Sequence, residues 1–110
     1  MNSELIKSLQ KVLEDKFATE IVAVDISKIS TLGDYFVIAT GKNENQIQAM
    51  AQAAEECLHK NGIGLKHKEG GHNTGWALLD FGTIIIHLFD EEARSFYNLE
   101  RLWADGEPVQ

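Results

Sequence analysis

The spacing of apolar residues predicts two amphipathic helices in the first sixty residues. Apolar positions recur at about every 3.6 residues through residues 5–13, with charged residues between them. The same period returns through residues 47–58, where Asn43 precedes the pattern and Asn61-Gly62 follows it. Asn is a common helix cap, and Asn-Gly is a common helix stop. Each helix should therefore turn one apolar stripe toward a core.

Four runs rich in β-branched and aromatic residues predict strands at residues 21–26, 35–40, 76–81 and 83–89. Residues 65–69 alternate between apolar and polar positions, which is consistent with a fifth, exposed strand. The second run is apolar on both faces, which favours a buried strand. Gly82 alone separates the last two runs, which indicates a tight hairpin. Acidic side chains stabilise the N-terminal end of a helix, where the helix dipole is positive. The three acids at residues 90–92 therefore predict the start of a third helix over residues 90–97.

This order of elements predicts a single α/β (α+β) domain over residues 1–105 and a frayed tail at residues 106–110. The predicted architecture is a mixed sheet of about five strands flanked by helices. Since three helices leave part of one sheet face without cover, the hairpin is the expected site of an exposed face.

Period-two alternation in the hairpin predicts a row of three outward side chains, Trp76, Leu78 and Asp80. Ala77, Leu79 and Phe81 then point into the core. A lone buried carboxylate is costly, so the row that holds Asp80 is the one expected to face outward. An aromatic, an aliphatic and an acidic side chain would then share one surface.

Charge and composition narrow the classes of partner. The chain has 110 residues and a formal charge of −7, and residues 77–110 hold seven acids against two arginines. An acidic surface repels phosphate backbones, so nucleic acid is not expected as the main contact. The acids would favour a basic protein surface, or serve solubility alone.

The expected location is the cytoplasm. No apolar run approaches the roughly 20 residues that span a bilayer, and the first ten residues lack a signal-peptide pattern. No membrane contact is therefore predicted. Cys57 is the single cysteine, which fits a reducing compartment.

A search for catalytic and metal-binding patterns predicts no catalytic residue, no metal and no cofactor. Nucleophile-elbow, dinucleotide and zinc spacings do not occur. His67, Glu69 and His72 are close in sequence but are expected to be solvated. His87 lies within an apolar strand, where a hydrogen-bonded structural histidine is the expected role.

Several motifs together resemble the ribosomal silencing factor family, which includes the plant iojap protein and mitochondrial relatives. They are WALLDFGTIIIHLF at residues 76–89 and RSFYNLERLW at residues 94–103, with DYFVIATG at residues 34–41 and Glu69-Gly70 upstream. The resemblance implies a nucleotidyltransferase-like fold without the catalytic carboxylates. It also implies a non-catalytic repressor that binds a protein of the large ribosomal subunit at the intersubunit face. There it would block association with the small subunit and lower translation when nutrients are short.

Six residues are the predicted partner contacts under this resemblance: Trp76, Leu78, Asp80, Tyr97, Glu100 and Trp103. Trp76 is the expected central anchor, because Trp is a frequent hot-spot residue. Asp80 and Glu100 would meet basic groups. Tyr97 and Trp103 would either join the contact or pin the last helix to the sheet. The resemblance further implies a homodimer through an exposed sheet face or edge.

Two alternatives remain open from the sequence alone. The first is a degenerate nucleotidyltransferase-like enzyme using nucleotide and magnesium, for which only Asp25, Asp34 and Asp80 are available. The second is a homodimeric scaffold whose acids only keep it soluble.

Overall fold

The architecture is a mixed β-sheet with helices packed on it, seen in a computed structural model that describes residues 3–27, 34–71, 75–92 and 107–108. The helices are α1 (Ser3–Asp15) and α2 (Glu44–Lys60). The strands are β1 (Thr19–Asp25), β2 (Tyr35–Gly41), β3 (His67–Gly71), β4 (Trp76–Asp80), β5 (Ile84–Asp90) and β6 (Glu107–Pro108). The α+β fold class is confirmed.

The strands form one sheet in the order β3-β4-β5-β2-β1-β6. The β2–β5 pair is parallel, and the other four pairs are antiparallel. A parallel pair needs a long crossover, which α2, β3 and β4 supply between β2 and β5. The predicted mixed sheet of about five strands is confirmed, with the two-residue β6 added at one edge.

Helix α2 begins with the cap that the sequence predicts. Asn43 Oδ1 accepts a hydrogen bond from the Gln46 backbone N at 2.9 Å, and Gln46 Oε1 accepts one from the Lys42 backbone N at 2.6 Å. These bonds satisfy two amides near the helix start. At the other end the Asn61 side-chain Nδ2 donates to the Cys57 carbonyl at 2.8 Å. Local side chains therefore fix both limits of α2.

The sheet buries apolar side chains on both faces. Helices α1 and α2 pack on the same face, where Leu9 and Met50 meet Val37 and Ile86 in the main core. The opposite face has a smaller cluster of buried residues, Val24, Ile26, Phe36, Ile38 and Phe89. The strand β2 is buried along its whole length because it contributes to both clusters.

Some predicted bounds are wrong. The strand β3 begins two residues later than predicted, because its pairing with β4 starts at His67 opposite Asp80. Asp90 was predicted to begin a helix, but it ends β5, and its backbone N donates to the Gly75 carbonyl at 2.9 Å. Residues 91–92 are helical, while residues 93–97 lie outside the described part of the chain.

The predicted frayed tail is also wrong at the two residues of it that the structure describes. Glu107 and Pro108 form β6 and pair with Asp25 and Val24 at the edge of β1. An edge strand tolerates Pro, which has no N–H to donate. The domain boundary at residue 105 stays a prediction.

Candidate functional site

The hairpin has the two faces that its alternation predicts. Ala77, Leu79 and Phe81 are buried against the helices. Trp76, Leu78 and Asp80 are half-buried on the opposite face. We call these three residues the β4 row.

Strand β5 widens the β4 row into a larger surface. The register places Ile85 opposite Asp80 and His87 opposite Leu78, and both side chains are half-buried. Sequence reasoning named neither Ile85 nor His87 as a contact. The alternation in residues 83–89 carries the same signal as that in residues 76–81 and predicts both. We call the β4 row together with Ile85 and His87 the docking face.

His87 and Trp76 are joined at the centre of the docking face. Trp76 Nε1 donates a hydrogen bond to His87 Nδ1 at 3.3 Å. The His87 ring also stacks on Phe36 at a centroid distance of 4.6 Å and on Phe89 at 5.9 Å. The predicted structural role of His87 in hydrogen bonding is confirmed. These contacts restrict the orientation of the Trp76 indole.

Burial among these rings lowers the pKa of His87 to about 4. A desolvated imidazolium would lose hydration that the rings do not replace. Protonation at Nδ1 would also remove the lone pair that accepts from Trp76. At neutral pH the ring is therefore uncharged, and it belongs to the apolar part of the docking face.

Asp80 lies at the end of the β4 row and has a structural contact of its own. Its Oδ1 accepts a hydrogen bond from the Gly82 backbone N at 2.7 Å, which fixes the turn between β4 and β5. On the neighbouring strand, exposed Glu69 lies opposite Leu78 and approaches His67 Nε2 at 3.4 Å. Two carboxylates thus border the apolar centre on one side.

The carboxylates proposed for magnesium do not form a cluster. Asp25 lies at the end of β1, where its Oδ1 accepts from the Ser27 backbone N and hydroxyl. Asp80 is on β4, and the order of the sheet separates β4 from β1 by β5 and β2. Over the ranges that the structure describes, no three His, Cys, Asp or Glu residues are grouped to hold a metal ion.

Three predicted contacts, Tyr97, Glu100 and Trp103, lie outside the described residues, so their predicted role stays a prediction. The structure brings Trp76, Leu78 and Asp80 together, as the alternation predicts. Among the described helices, neither is long and apolar enough to cross a membrane.

Comparison with known proteins links this chain to one family over its whole length. The family described as "Ribosomal silencing factor during starvation" matches residues 1–110. The ribosomal silencing factor RsfS of Halalkalibacterium halodurans is 36% identical over 99% of this chain and 93% of that protein. The RsfS of Zymomonas mobilis is 44% identical over 94% of this chain and 77% of that protein. A crystal structure of a protein from Chromobacterium violaceum superposes with a TM-score of 0.86 at 29% identity, covering 94% of this chain and 87% of the other.

Proposed function

Because the chain belongs to the ribosomal silencing factor family, we propose that it binds a protein of the large ribosomal subunit at the intersubunit face. Bound there, it sterically blocks association with the small subunit and represses translation under nutrient limitation. We also propose that the protein acts in the cytoplasm. The observation that carries it is the docking face, where half-buried Trp76, Leu78 and Asp80 lie in one row.

The composition of the docking face supports a protein partner. Specific protein interfaces bury about 1,000 Å² or more in total, and their energetic centres are enriched in Trp. Trp76 is held by its bond to His87, so binding costs less side-chain entropy than it would for a mobile indole. Leu78 and Ile85 add apolar area beside it.

Charge supports a basic partner. Asp80 and Glu69 lie on neighbouring strands at one border of the docking face, and the whole chain carries −7. These acids attract a basic protein surface and speed its association. They repel a phosphate-rich surface such as RNA. A basic protein surface therefore complements this face better than RNA does.

A steric repressor needs no reactive group, so the proposal includes no chemical step. The protein acts by occupying a surface that the small subunit requires. Self-association is part of the proposal as well, since β3 lies at an edge of the sheet and has exposed side chains. A homodimer paired through that edge would leave the docking face open.

Sedimentation through sucrose gradients tests the proposal with purified ribosomal subunits. The wild-type protein should migrate with large subunits and reduce the fraction of joined ribosomes. Leu78→Ala should weaken binding about tenfold or more if Leu78 belongs to the interface centre. The matched control is Phe17→Ala, which removes an apolar side chain that is 82% exposed beside β1.

The gradients also give results that would contradict the proposal. Wild-type protein that stays at the top of the gradient in the presence of large subunits would exclude ribosome binding. If Leu78→Ala and Phe17→Ala bind large subunits equally well, then the contact lies outside the docking face. Binding to large subunits without loss of joined ribosomes would exclude the steric mechanism.

A further inference from the structure

His87 lies at the centre of the docking face with aliphatic residues on both sides. The register places Leu78 of β4 opposite it on one side and Ile38 of β2 beside it on the other. The His87 ring stacks on Phe36 at a centroid distance of 4.6 Å and on Phe89 at 5.9 Å. All four neighbours have hydrocarbon side chains, so none of them offers a strong hydrogen-bond acceptor to the imidazole.

The hydrogen bond from Trp76 decides which nitrogen of His87 holds the proton. An indole N–H can only donate, and Trp76 Nε1 donates to His87 Nδ1 at 3.3 Å. A neutral imidazole has a single N–H, so the proton lies on Nε2 when Nδ1 accepts. Burial lowers the pKa of His87 to about 4, which keeps the ring neutral at pH 7. The ring therefore has one donor, the Nε2–H.

The Nε2–H lies at the outer end of the His87 ring. Nδ1 is bonded to the ring carbon that joins Cβ, whereas Nε2 is one bond further from the backbone. Because side chains stand roughly perpendicular to a sheet, the outer end of the ring is directed away from β5. Among the residues that the structure describes, none accepts a hydrogen bond from Nε2. His87 is half-buried, so solvent can serve this N–H until a partner covers the docking face.

A partner that covers the docking face must replace the solvent at Nε2. An N–H that is buried without an acceptor loses its hydration with no compensation, which opposes binding. The stacked rings and the bond from Trp76 hold the imidazole in place, so the acceptor has to lie at one position. Leu78 and Ile85 accept apolar groups of many shapes, whereas a fixed donor rejects a surface that lacks an acceptor.

Charge at the border of the docking face favours a neutral acceptor over an anionic one. Asp80 and Glu69 lie on neighbouring strands at that border, and both repel a carboxylate that approaches His87. A backbone carbonyl oxygen is a strong acceptor without a net charge, and it is available on a basic protein surface as on any other. The chemistry around Nε2 therefore fits a carbonyl oxygen best.

We propose that His87 determines specificity at the docking face by donating its Nε2–H to a neutral carbonyl oxygen of the partner protein. The inference rests on the proposed function, because it requires a protein partner on this face. Trp76 then acts twice: it offers the partner an aromatic surface, and it holds His87 in the tautomer that donates outward. The apolar centre of the docking face thus contains one directed polar group.

Long-range ¹H–¹⁵N NMR spectra of the free protein at pH 7 test the tautomer without the ribosome. The His87 ring should show a protonated Nε2 and an unprotonated Nδ1, with no exchange between tautomers. His59, which is exposed on α2, should show the averaged signals of a solvated histidine in the same spectrum. A protonated Nδ1 in His87 would overturn the inference and leave the proposed ribosome binding untouched.

Sedimentation with increasing amounts of purified large ribosomal subunits measures what the donor contributes to binding. His87→Asn places an amide oxygen near the position of Nδ1 but removes the outer N–H, so it should bind about fivefold or more weakly. His87→Gln places an amide N–H near the position of Nε2, and its affinity should stay within about threefold of the wild type. The matched control is His59→Asn, the same change at an exposed position, which should alter affinity less than about twofold.

The two His87 variants separate the donor from a purely structural role of the ring. Equal affinity of His87→Asn and the wild type would show that no partner atom accepts from Nε2. Equal weakening of His87→Asn and His87→Gln would show that His87 acts only through the position of Trp76. Either result overturns the inference, while wild-type binding to large subunits would still support the proposed function. Absence of wild-type binding would overturn both.

The salt dependence of the variants identifies the acceptor. A bond to a neutral carbonyl oxygen is not screened, so the difference between His87→Asn and His87→Gln should be the same at low and high salt. A difference that disappears at high salt would indicate a carboxylate acceptor and overturn the neutral one. Circular dichroism verifies that each variant is folded, and the NMR result on the wild type decides the tautomer if a variant does not fold.

Discussion

The Trp76 indole on β4 and the His87 imidazole on β5 are joined by a hydrogen bond from Nε1 to Nδ1 at 3.3 Å. In the register Trp76 lies opposite Phe89, and His87 lies opposite Leu78. The bond therefore runs diagonally across the strand pair, within reach of a long aromatic side chain. It requires an unprotonated Nδ1, so the orientation of Trp76 depends on the charge state of His87.

This dependence predicts that acid weakens the fold well before most carboxylates titrate. Burial lowers the pKa of His87 from 6.5 to about 4, so the unfolded chain binds a proton at a higher pH than the folded chain. The stabilising contribution is present in full above pH 6.5 and is lost as the pH falls toward 4. Between pH 7 and pH 5 the loss should be about 2 kcal/mol of unfolding free energy. Urea denaturation at pH 7, 6 and 5 measures it.

His87→Phe is the control for this prediction. Phe keeps an aromatic ring beside Phe36 and Phe89, but it cannot bind a proton. Between pH 7 and pH 5, the unfolding free energy of the variant should fall by about 2 kcal/mol less than that of the wild type. An identical pH dependence in both proteins would mean that other groups cause the loss.

Asp80 should have two separable roles, one in the turn and one in partner binding. Asp80→Asn keeps an oxygen that accepts from the Gly82 backbone N but removes the charge. Its unfolding free energy should stay within about 0.5 kcal/mol of the wild type, whereas Asp80→Ala should lose about 1 kcal/mol. Both variants should bind large subunits several-fold more weakly at low salt, because a rim charge mainly speeds association.

The comparison of these two variants separates charge from turn stability. Glu56→Gln, an equal change of charge at an exposed position of α2, is the matched control. If Asp80→Asn binds large subunits as tightly as Glu56→Gln, then Asp80 acts through the turn alone.

The sequence predicted the β4 row because period-two alternation is a local property of a strand. Trp76, Leu78 and Asp80 share a face whatever lies beside them. The bond from Trp76 to His87 could not be predicted in the same way, because it depends on the register between two strands. The local sequence pattern therefore predicted the β4 row, whereas the hydrogen bond that orients Trp76 depends on tertiary packing.

Gly70 should be required for the position of Trp76. Its backbone φ is 78°, and an added Cβ would overlap the Trp76 carbonyl oxygen and lie 2.9 Å from Trp76 Cε3. Gly70→Ala should lower the unfolding free energy by about 2 to 3 kcal/mol, since left-handed backbone strain and steric overlap add together. Thermal and urea denaturation both measure this loss.

Gly62 is the matched control, because its φ is 80° and no heavy atom lies within 4 Å of an added Cβ. Gly62→Ala should lose only about 1 kcal/mol, the cost of the backbone conformation alone. The Trp76 fluorescence spectrum should shift in Gly70→Ala and stay unchanged in Gly62→Ala. Equal losses in the two variants would show that the overlap with Trp76 relaxes at little cost.

Phe17 lies two residues beyond the end of α1, in a backbone conformation that favours glycine. Its φ is 64°, its backbone N donates to the Glu14 carbonyl at 2.8 Å, and the Ala18 backbone N donates to the Leu13 carbonyl at 3.1 Å. These two bonds form a Schellman motif with Phe17 at the left-handed position. Its side chain is 82% exposed, so little burial offsets the backbone strain.

Phe17→Gly should therefore raise the unfolding free energy by about 1 kcal/mol, because relief of the left-handed strain exceeds the added entropy of the unfolded chain. Phe17→Ala should leave stability nearly unchanged, since alanine keeps the strain and the ring buries little area. Urea denaturation of both variants measures the difference. If Phe17→Gly is instead less stable than Phe17→Ala, then the added entropy of the unfolded chain outweighs the relief of strain at this position.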